Sequence, residues 1–262
     1  MDAVAVLRFV YNGIEAARLV WVLCFLNGIK WLVMRMRMIV FCMISTGVHL
    51  FGQMHHKKTG AWYMFFWDVP FQQARFGLQG DIQYRNWNYI GDLEQLLLRG
   101  GVYYQPQSAD VRLSLGYAYI AMGTPGESSA TTEEHRIYQE ALLPQKVGTR
   151  LFAKHRFRYE QRFVEGQSFR TRYRYALFLT LPINAPNLDK GALYIAVYNE
   201  IFLNGQKDVG NQQRVEYFDA NRLYGAIGYA LTNRLKIQLG YMQQTKNNVS
   251  KGQIQLSIHS KF

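Results

Sequence analysis

Leu151-Phe-Ala-Lys-His-Arg-Phe-Arg-Tyr-Glu-Gln-Arg-Phe163 leads through a Val164–Ser168 turn into Phe169-Arg-Thr-Arg-Tyr-Arg-Tyr-Ala-Leu-Phe-Leu-Thr-Leu181, and this stretch decides the fold. Its period is two. On the first arm Leu151, Ala153, His155, Phe157, Tyr159 and Phe163 alternate with Phe152, Lys154, Arg156, Arg158, Glu160 and Arg162. On the return arm Phe169, Tyr173, Tyr175, Leu177, Leu179 and Leu181 face one way, while Arg170, Arg172 and Arg174 face the other. A helix would scatter these bases round its circumference. A strand gathers them on one side.

The same alternation spreads outward from this hairpin. Ile254, Leu256, Ile258 and Phe262 alternate with Gln253, Gln255, Ser257, His259 and Lys261. Leu235, Ile237, Leu239 and Tyr241 alternate with Lys236, Gln238 and Gly240. Val111, Leu113, Leu115, Tyr117 and Tyr119 are interleaved with Arg112, Ser114, Gly116 and Ala118, and Phe76, Leu78, Gly80, Ile82 and Tyr84 with Gly77, Gln79, Asp81, Gln83 and Arg85. Strands are predicted near 61–67, 74–87, 93–105, 110–122, 133–143, 148–164, 168–182, 191–203, 217–231, 234–246 and 251–262. These are long for a soluble sheet and suit tilted strands crossing a bilayer. Connections near Gln105–Asp110 and Leu231–Arg234 are short, whereas Gly123–Thr132 and Asn204–Glu216 are longer and polar. The expected fold is all-β: a closed antiparallel transmembrane β-barrel over residues 53–262. Eleven strands are readable, but a single-chain bacterial barrel normally has an even number. The expectation is therefore twelve, with ten as the fallback.

Composition agrees with a barrel. Aromatic residues make up 15%, with 18 Tyr and 16 Phe, yet mean hydropathy is only −0.17. A helical membrane bundle would be far more apolar. A barrel exposes apolar side chains outward, keeps polar ones inside and sets aromatic girdles at both interfaces. The cysteines, Cys24 and Cys42, both fall upstream of residue 53. This points away from a disulfide scaffold or a cysteine-ligated zinc site.

The first 52 residues read as a leader. Met34-Arg-Met-Arg-Met38 is a basic stretch followed by the apolar run Ile39–Phe51, with Gly52 at the expected cut. That is the layout of a secretory signal peptide over 34–52. Residues 1–33, with their own apolar run Leu19–Val33, read as a start-site extension, a membrane anchor being the alternative. A secreted chain crossing the inner membrane is destined here for the outer membrane of a Gram-negative bacterium, and its partners are outer-membrane lipids rather than nucleic acid. The chain closes an alternating strand on Phe262. A terminal aromatic resembles the signal of outer-membrane proteins read by the barrel assembly machinery.

Several pieces resemble an uncharacterised outer-membrane family, domain of unknown function 2490. They are Glu134-His-Arg-Ile-Tyr-Gln139, His155-Arg-Phe-Arg-Tyr-Glu-Gln-Arg-Phe163, Phe169-Arg-Thr-Arg-Tyr-Arg174, Tyr198-Asn-Glu-Ile-Phe202 and Asn221-Arg-Leu-Tyr224. The resemblance spans roughly residues 60–262. It implies a barrel and no known activity.

Net charge is +12, of which residues 53–262 carry +9. A lipid-facing Arg or Lys at the bilayer midplane would cost ~2–4 kcal/mol. The bases must therefore point inward. The lumen is expected to receive Arg75, Arg85, Arg99, Arg112, Lys154, Arg156, Arg158, Arg162, Arg170, Arg172, Arg174, Arg222 and Lys236, against Asp81, Glu140, Glu160 and Glu200. Two readings follow. One is a cationic lumen that concentrates small anions. The other is an interior packed by arginines paired with Glu160, Glu200 and tyrosines.

No cofactor is implied: neither a phosphate loop nor zinc spacing occurs. His55-His56 lies just past the expected cut, and His155 falls on the apolar face. No Ser or Asp can be set opposite a His, so a non-enzymatic barrel is the leading expectation: a narrow anion-preferring pore or a sealed structural barrel. The alternatives are a barrel enzyme acting on lipid or envelope substrates, and a soluble periplasmic barrel binding a lipid inside.

Overall fold

The computed structural model describes residues 59–72, 74–126, 130–246 and 249–262. The expected leader segments 1–33 and 34–52, both cysteines and His55-His56 lie outside them. The described residues form eleven strands: β1 (Gly60–Pro70), β2 (Phe76–Asn86), β3 (Leu93–Tyr104), β4 (Arg112–Gly123), β5 (Thr131–Val147), β6 (Leu151–Val164), β7 (Arg170–Pro182), β8 (Leu193–Asn204), β9 (Phe218–Ala230), β10 (Leu235–Lys246) and β11 (Val249–Lys261). Each pairs with its sequence neighbours, and β1 pairs with β11 to close the barrel.

Neither twelve nor ten strands is correct. Consecutive antiparallel strands reverse direction at every step, so strands one and eleven point the same way. Closure then demands a parallel seam, and β1 runs parallel to β11 from Gly60 opposite Gln253 to Asp68 opposite Lys261. The parity rule had overridden a count that the alternation had already given. A further consequence is that β1 starts at one rim and β11 ends at the other. The rim where β11 ends is called the C-terminal rim below.

Of the four connections whose lengths were read from sequence, 105–111 and 231–234 lie at the C-terminal rim and 124–130 and 205–217 at the opposite one, but 105–111 and 124–130 are equally long, so length does not separate the rims. Connection 183–192, also at the C-terminal rim, is long, and 247–248 opposite it is the shortest.

The alternation holds on most wall strands, β1 excepted, where Trp62, Met64 and Phe66 line the interior. Ile82, Leu115, Phe157, Ile195, Ile227, Leu239 and Leu256 point outward and are exposed. Outward aromatics lie toward both ends of this apolar belt and between them. Tyr63, Tyr84, Phe163 and Phe169 lie toward the opposite rim and Phe71, Phe76, Tyr229 and Phe262 toward the C-terminal one, while Tyr117, Phe157 and Tyr241 stand mid-strand. An exposed apolar surface that runs round the whole circumference far exceeds the patches of a soluble monomer.

Inside, bulky and minimal side chains face each other across strands. Tyr103 is paired with Gly77, Tyr138 with Gly116 and Tyr194 with Gly228. A Cβ on any of these glycines would run into the facing tyrosine ring. Missing side chains thus give the rings room to lie flat against the wall.

Candidate functional site

Register builds the interior. Across β5 and β6, Glu140 faces Arg158 and Arg136 faces Arg162. Across β6 and β7, Glu160 faces Arg172 and Arg158 faces Arg174. Across β8 and β9, Glu200 faces Arg222. All are interior positions, because each lies an even number of residues from the next on its strand.

Four buried carboxylates organise this wall. Glu134 accepts from Arg136 Nε and Nη2 at 2.6 and 2.8 Å and from Arg162 Nε and Nη2 at 2.5 and 3.0 Å. Glu160 joins Arg172 to Arg174, the latter through Nη1 at 2.6 Å. Glu200 joins Arg174 to Arg156, with Arg174 Nε at 2.8 Å and Arg156 Nη2 at 2.6 Å. Glu140 accepts from Arg158 Nε at 2.7 Å and has Arg156 Nε at 3.8 Å. Asp219 takes the remaining arm of Arg172 at 2.8 Å. Each glutamate therefore serves at least two guanidiniums, and Glu160 also has Arg136 and Arg158 at 3.9 and 3.8 Å. Aromatic faces supply further support: Arg172, Arg174 and Arg222 lie 5.2, 4.4 and 4.6 Å from the centre of the Phe202 ring. Lys154 and Arg156 lie 4.8 and 4.9 Å from that of Phe178. Desolvating a guanidinium costs several kcal/mol unless such partners are present.

The sharing leaves cations over. Arg170 makes no ion pair among the described residues, and its Nε is buried without a hydrogen-bond partner. Lys154 reaches Phe178 but no carboxylate. A cavity of about 1190 Å³ remains between the charged wall and the rest of the barrel. Seventeen Lys and Arg line it against six Asp and Glu. Its lining reaches Lys146, Arg234 and Lys261 at the C-terminal rim and Arg170, Asp219 and Lys246 at the other.

A family model, Protein of unknown function (DUF2490), matches residues 59–255. The chain belongs to the DUF2490 family. The match covers nearly the whole barrel of this DUF2490 protein and names no activity. Neither a curated protein nor a solved structure matches it.

Lys154, Arg156, Arg158, Glu160, Arg162, Arg170, Arg172, Arg174, Glu200 and Arg222 all face this interior. So do Arg85, Arg99, Arg112, Lys236, Asp81 and Glu140. Arg75 does not: it stands exposed in the β1–β2 connection, because the strand begins two residues later than predicted. Sequence reasoning passed over Glu134, Arg136 and Asp219. Glu134, Arg136, Tyr138 and Glu140 sit at successive even steps on β5, so the alternation rule applied to that strand would have found the first two. His155 keeps to the outward side but is buried there, its Nδ1 2.8 Å from the Tyr175 hydroxyl. The internal lipid-binding alternative required arginines outside and apolar residues within; the DUF2490 barrel has its arginines within, beside apolar lining residues such as Trp62, Met64, Phe66 and Phe202.

Proposed function

We propose that the protein is an outer-membrane barrel of a Gram-negative bacterium that acts as a narrow, anion-preferring pore. The observation that carries this reading is a cavity whose lining extends from rim to rim with bases in excess. A fully packed interior would leave no such space. Charge of one sign along a low-dielectric passage raises the local concentration of counter-ions and excludes like charges. The apolar belt with aromatic rims supports a bilayer setting. Outer-membrane lipids then cover the belt, and the exposed Phe262 is offered to the assembly machinery.

Planar-bilayer recording of the purified protein tests the reading. Under a salt gradient, single channels should reverse at a potential set by the anion. No conductance, or a cation preference, overturns it.

One observation favours an enzyme. Ser257 Oγ lies 3.1 Å from His259 Nε2, and both line the cavity. A nucleophile and base at this distance are the start of a hydrolase, but a third group is needed to orient the base. The His259 ring instead stacks on Phe66 at 4.7 Å between centroids. Labelling of Ser257 by a fluorophosphonate would establish the hydrolase; a protein that resists labelling returns the pair to a structural role.

A further inference from the structure

The glutamates that neutralise the arginines stand on β5, β6 and β8. Two guanidiniums stand outside these ion pairs, although Arg222 lies opposite Glu200 in register. Arg85 on β2 and Arg222 on β9 lie against the same ring, that of Trp62 on β1, with Cζ 3.9 and 5.0 Å from its centre. Their hydrogen-bond acceptors are all uncharged. Arg85 Nε and Nη2 donate to Gln83 Oε1 at 3.1 and 2.5 Å, and Nη1 donates to Gln95 Oε1 at 2.5 Å. Arg222 Nε donates to Gln244 Oε1 at 2.7 Å.

Neither is within ion-pair distance of a carboxylate among the described residues. The acids of this region are engaged elsewhere. Glu94 accepts from Trp62 Nε1 at 3.3 Å, from Lys251 at 3.1 Å and from Gln253 at 3.1 Å. Glu200 holds Arg156 and Arg174. The two Nη groups of Arg222 have no hydrogen-bond partner among the described residues, and both arginines line the cavity.

The contrast with the β6 and β7 arginines is chemical. There, glutamate accepts from Arg156, Arg158, Arg162, Arg172 and Arg174 and offsets their charge, Arg170 excepted. Here, glutamine fixes the arginine and leaves the charge standing. Two like charges held to one ring, out of bulk water, repel one another and keep open donors. An oxyanion removes both costs, because a planar guanidinium fork matches carboxylate and phosphate oxygens. We propose that Arg85 and Arg222, set by Trp62, Gln83, Gln95 and Gln244, form a binding site for a small oxyanion, a carboxylate or a phosphate. The site lies toward the rim opposite the C-terminus, where β1 begins. It does not rest on conduction: a sealed barrel would bind there too, so failure in bilayers and failure in binding are separate results.

The test is equilibrium binding to the full chain in detergent micelles at constant ionic strength. Inorganic phosphate and acetate are titrated separately, with chloride as the control. Calorimetry reads the binding and Trp62 emission reports the place. One or both oxyanions should saturate a site that chloride does not compete for at equal concentration, and the responding anion names the class. Emission should cease to respond in Trp62→Phe. Arg85→Gln with Arg222→Gln should weaken the apparent affinity ~10-fold or more, the scale of losing a charge-assisted hydrogen bond. Absence of saturable binding in the unaltered protein overturns the proposal without recourse to any variant. Equal response to chloride, or unchanged affinity in the double variant, does so as well.

Discussion

Arg172 and Glu160 face each other in register across β6 and β7, and Arg172 Nε and Nη2 both donate to one oxygen, Glu160 Oε2, at 2.9 and 2.7 Å. The other oxygen is taken by Arg174, so Glu160 is the point at which two arginines of one strand are held at once. Glu160 is only 1% exposed. Removing its charge leaves Arg172 with Asp219 alone and Arg174 with Glu200 alone, beside the like charges of Arg136 and Arg158. Glu160→Gln is expected to destabilise the barrel by about 3–5 kcal/mol. Glu216→Gln, which breaks the exposed Lys207–Glu216 pair in the 205–217 connection, should cost under about 1 kcal/mol. Urea unfolding of the refolded protein, followed by heat-modified gel mobility, compares the two. Equal midpoints would mean that the interior network carries no stability.

Leu239 and Gln238 are adjacent on β10 but occupy opposite faces. Leu239 is 60% exposed outward, while Gln238 Nε2 donates to the interior Tyr194 hydroxyl at 3.1 Å. In the proposed bilayer placement Leu239→Arg should cost ~2–4 kcal/mol near the midplane. Gln238→Arg adds one more base to a lumen that already holds many and should assemble nearly normally. The folded fraction in lipid vesicles is the measurement, and parity between the variants would contradict the bilayer placement.

Gly116 lies beneath the Tyr138 ring, whereas nothing stands within 4 Å of a Cβ built on Gly225. Gly116→Ala forces the ring off the wall and should cost about 1–3 kcal/mol as an overpacked contact. Gly225→Ala should be neutral to within about 0.5 kcal/mol. Unfolding midpoints of the two single variants decide whether the glycine–tyrosine pairs are structural.

Phe262 is 62% exposed, and its backbone N–H donates to Asp68 O at 2.9 Å. The side chain therefore adds little to the barrel itself. Phe262→Ala should leave refolding in detergent unchanged but lower the yield of assembled protein in cells. If both yields stay level, Phe262 has no part in assembly.

The charged interior was partly legible. Lys154 through Arg174 could be placed inward because period two is a local property of the extended backbone, and because, in the expected bilayer setting, a lipid-facing base is costly. Arg75 was misplaced at a strand end, where alternation has no neighbour on one side to fix it. The pairing of Glu134 with Arg162 spans 28 residues and was invisible, since it depends on how far β6 slides against β5. The distinction between neutralised and open arginines was equally hidden. Gln83, Gln95 and Gln244 look like ordinary polar lumen residues until Trp62 brings Arg85 and Arg222 to one ring.

The sequence by itself determined the strands and their two faces, because both follow from side-chain alternation along a single extended segment, while the expected number, twelve, was one too many. Tertiary structure alone decided how the eleven close. Whether β1 meets β11, and in which direction, is set by the direction of the whole series of reversals and not by any residue in either strand. It also decided that the interior is neither a uniform cationic tube nor a packed core. Carboxylates on β5, β6 and β8 are spent on their own wall, and a rim-to-rim cavity is left with bases in excess. That partition arises from inter-strand register, which no local pattern encodes.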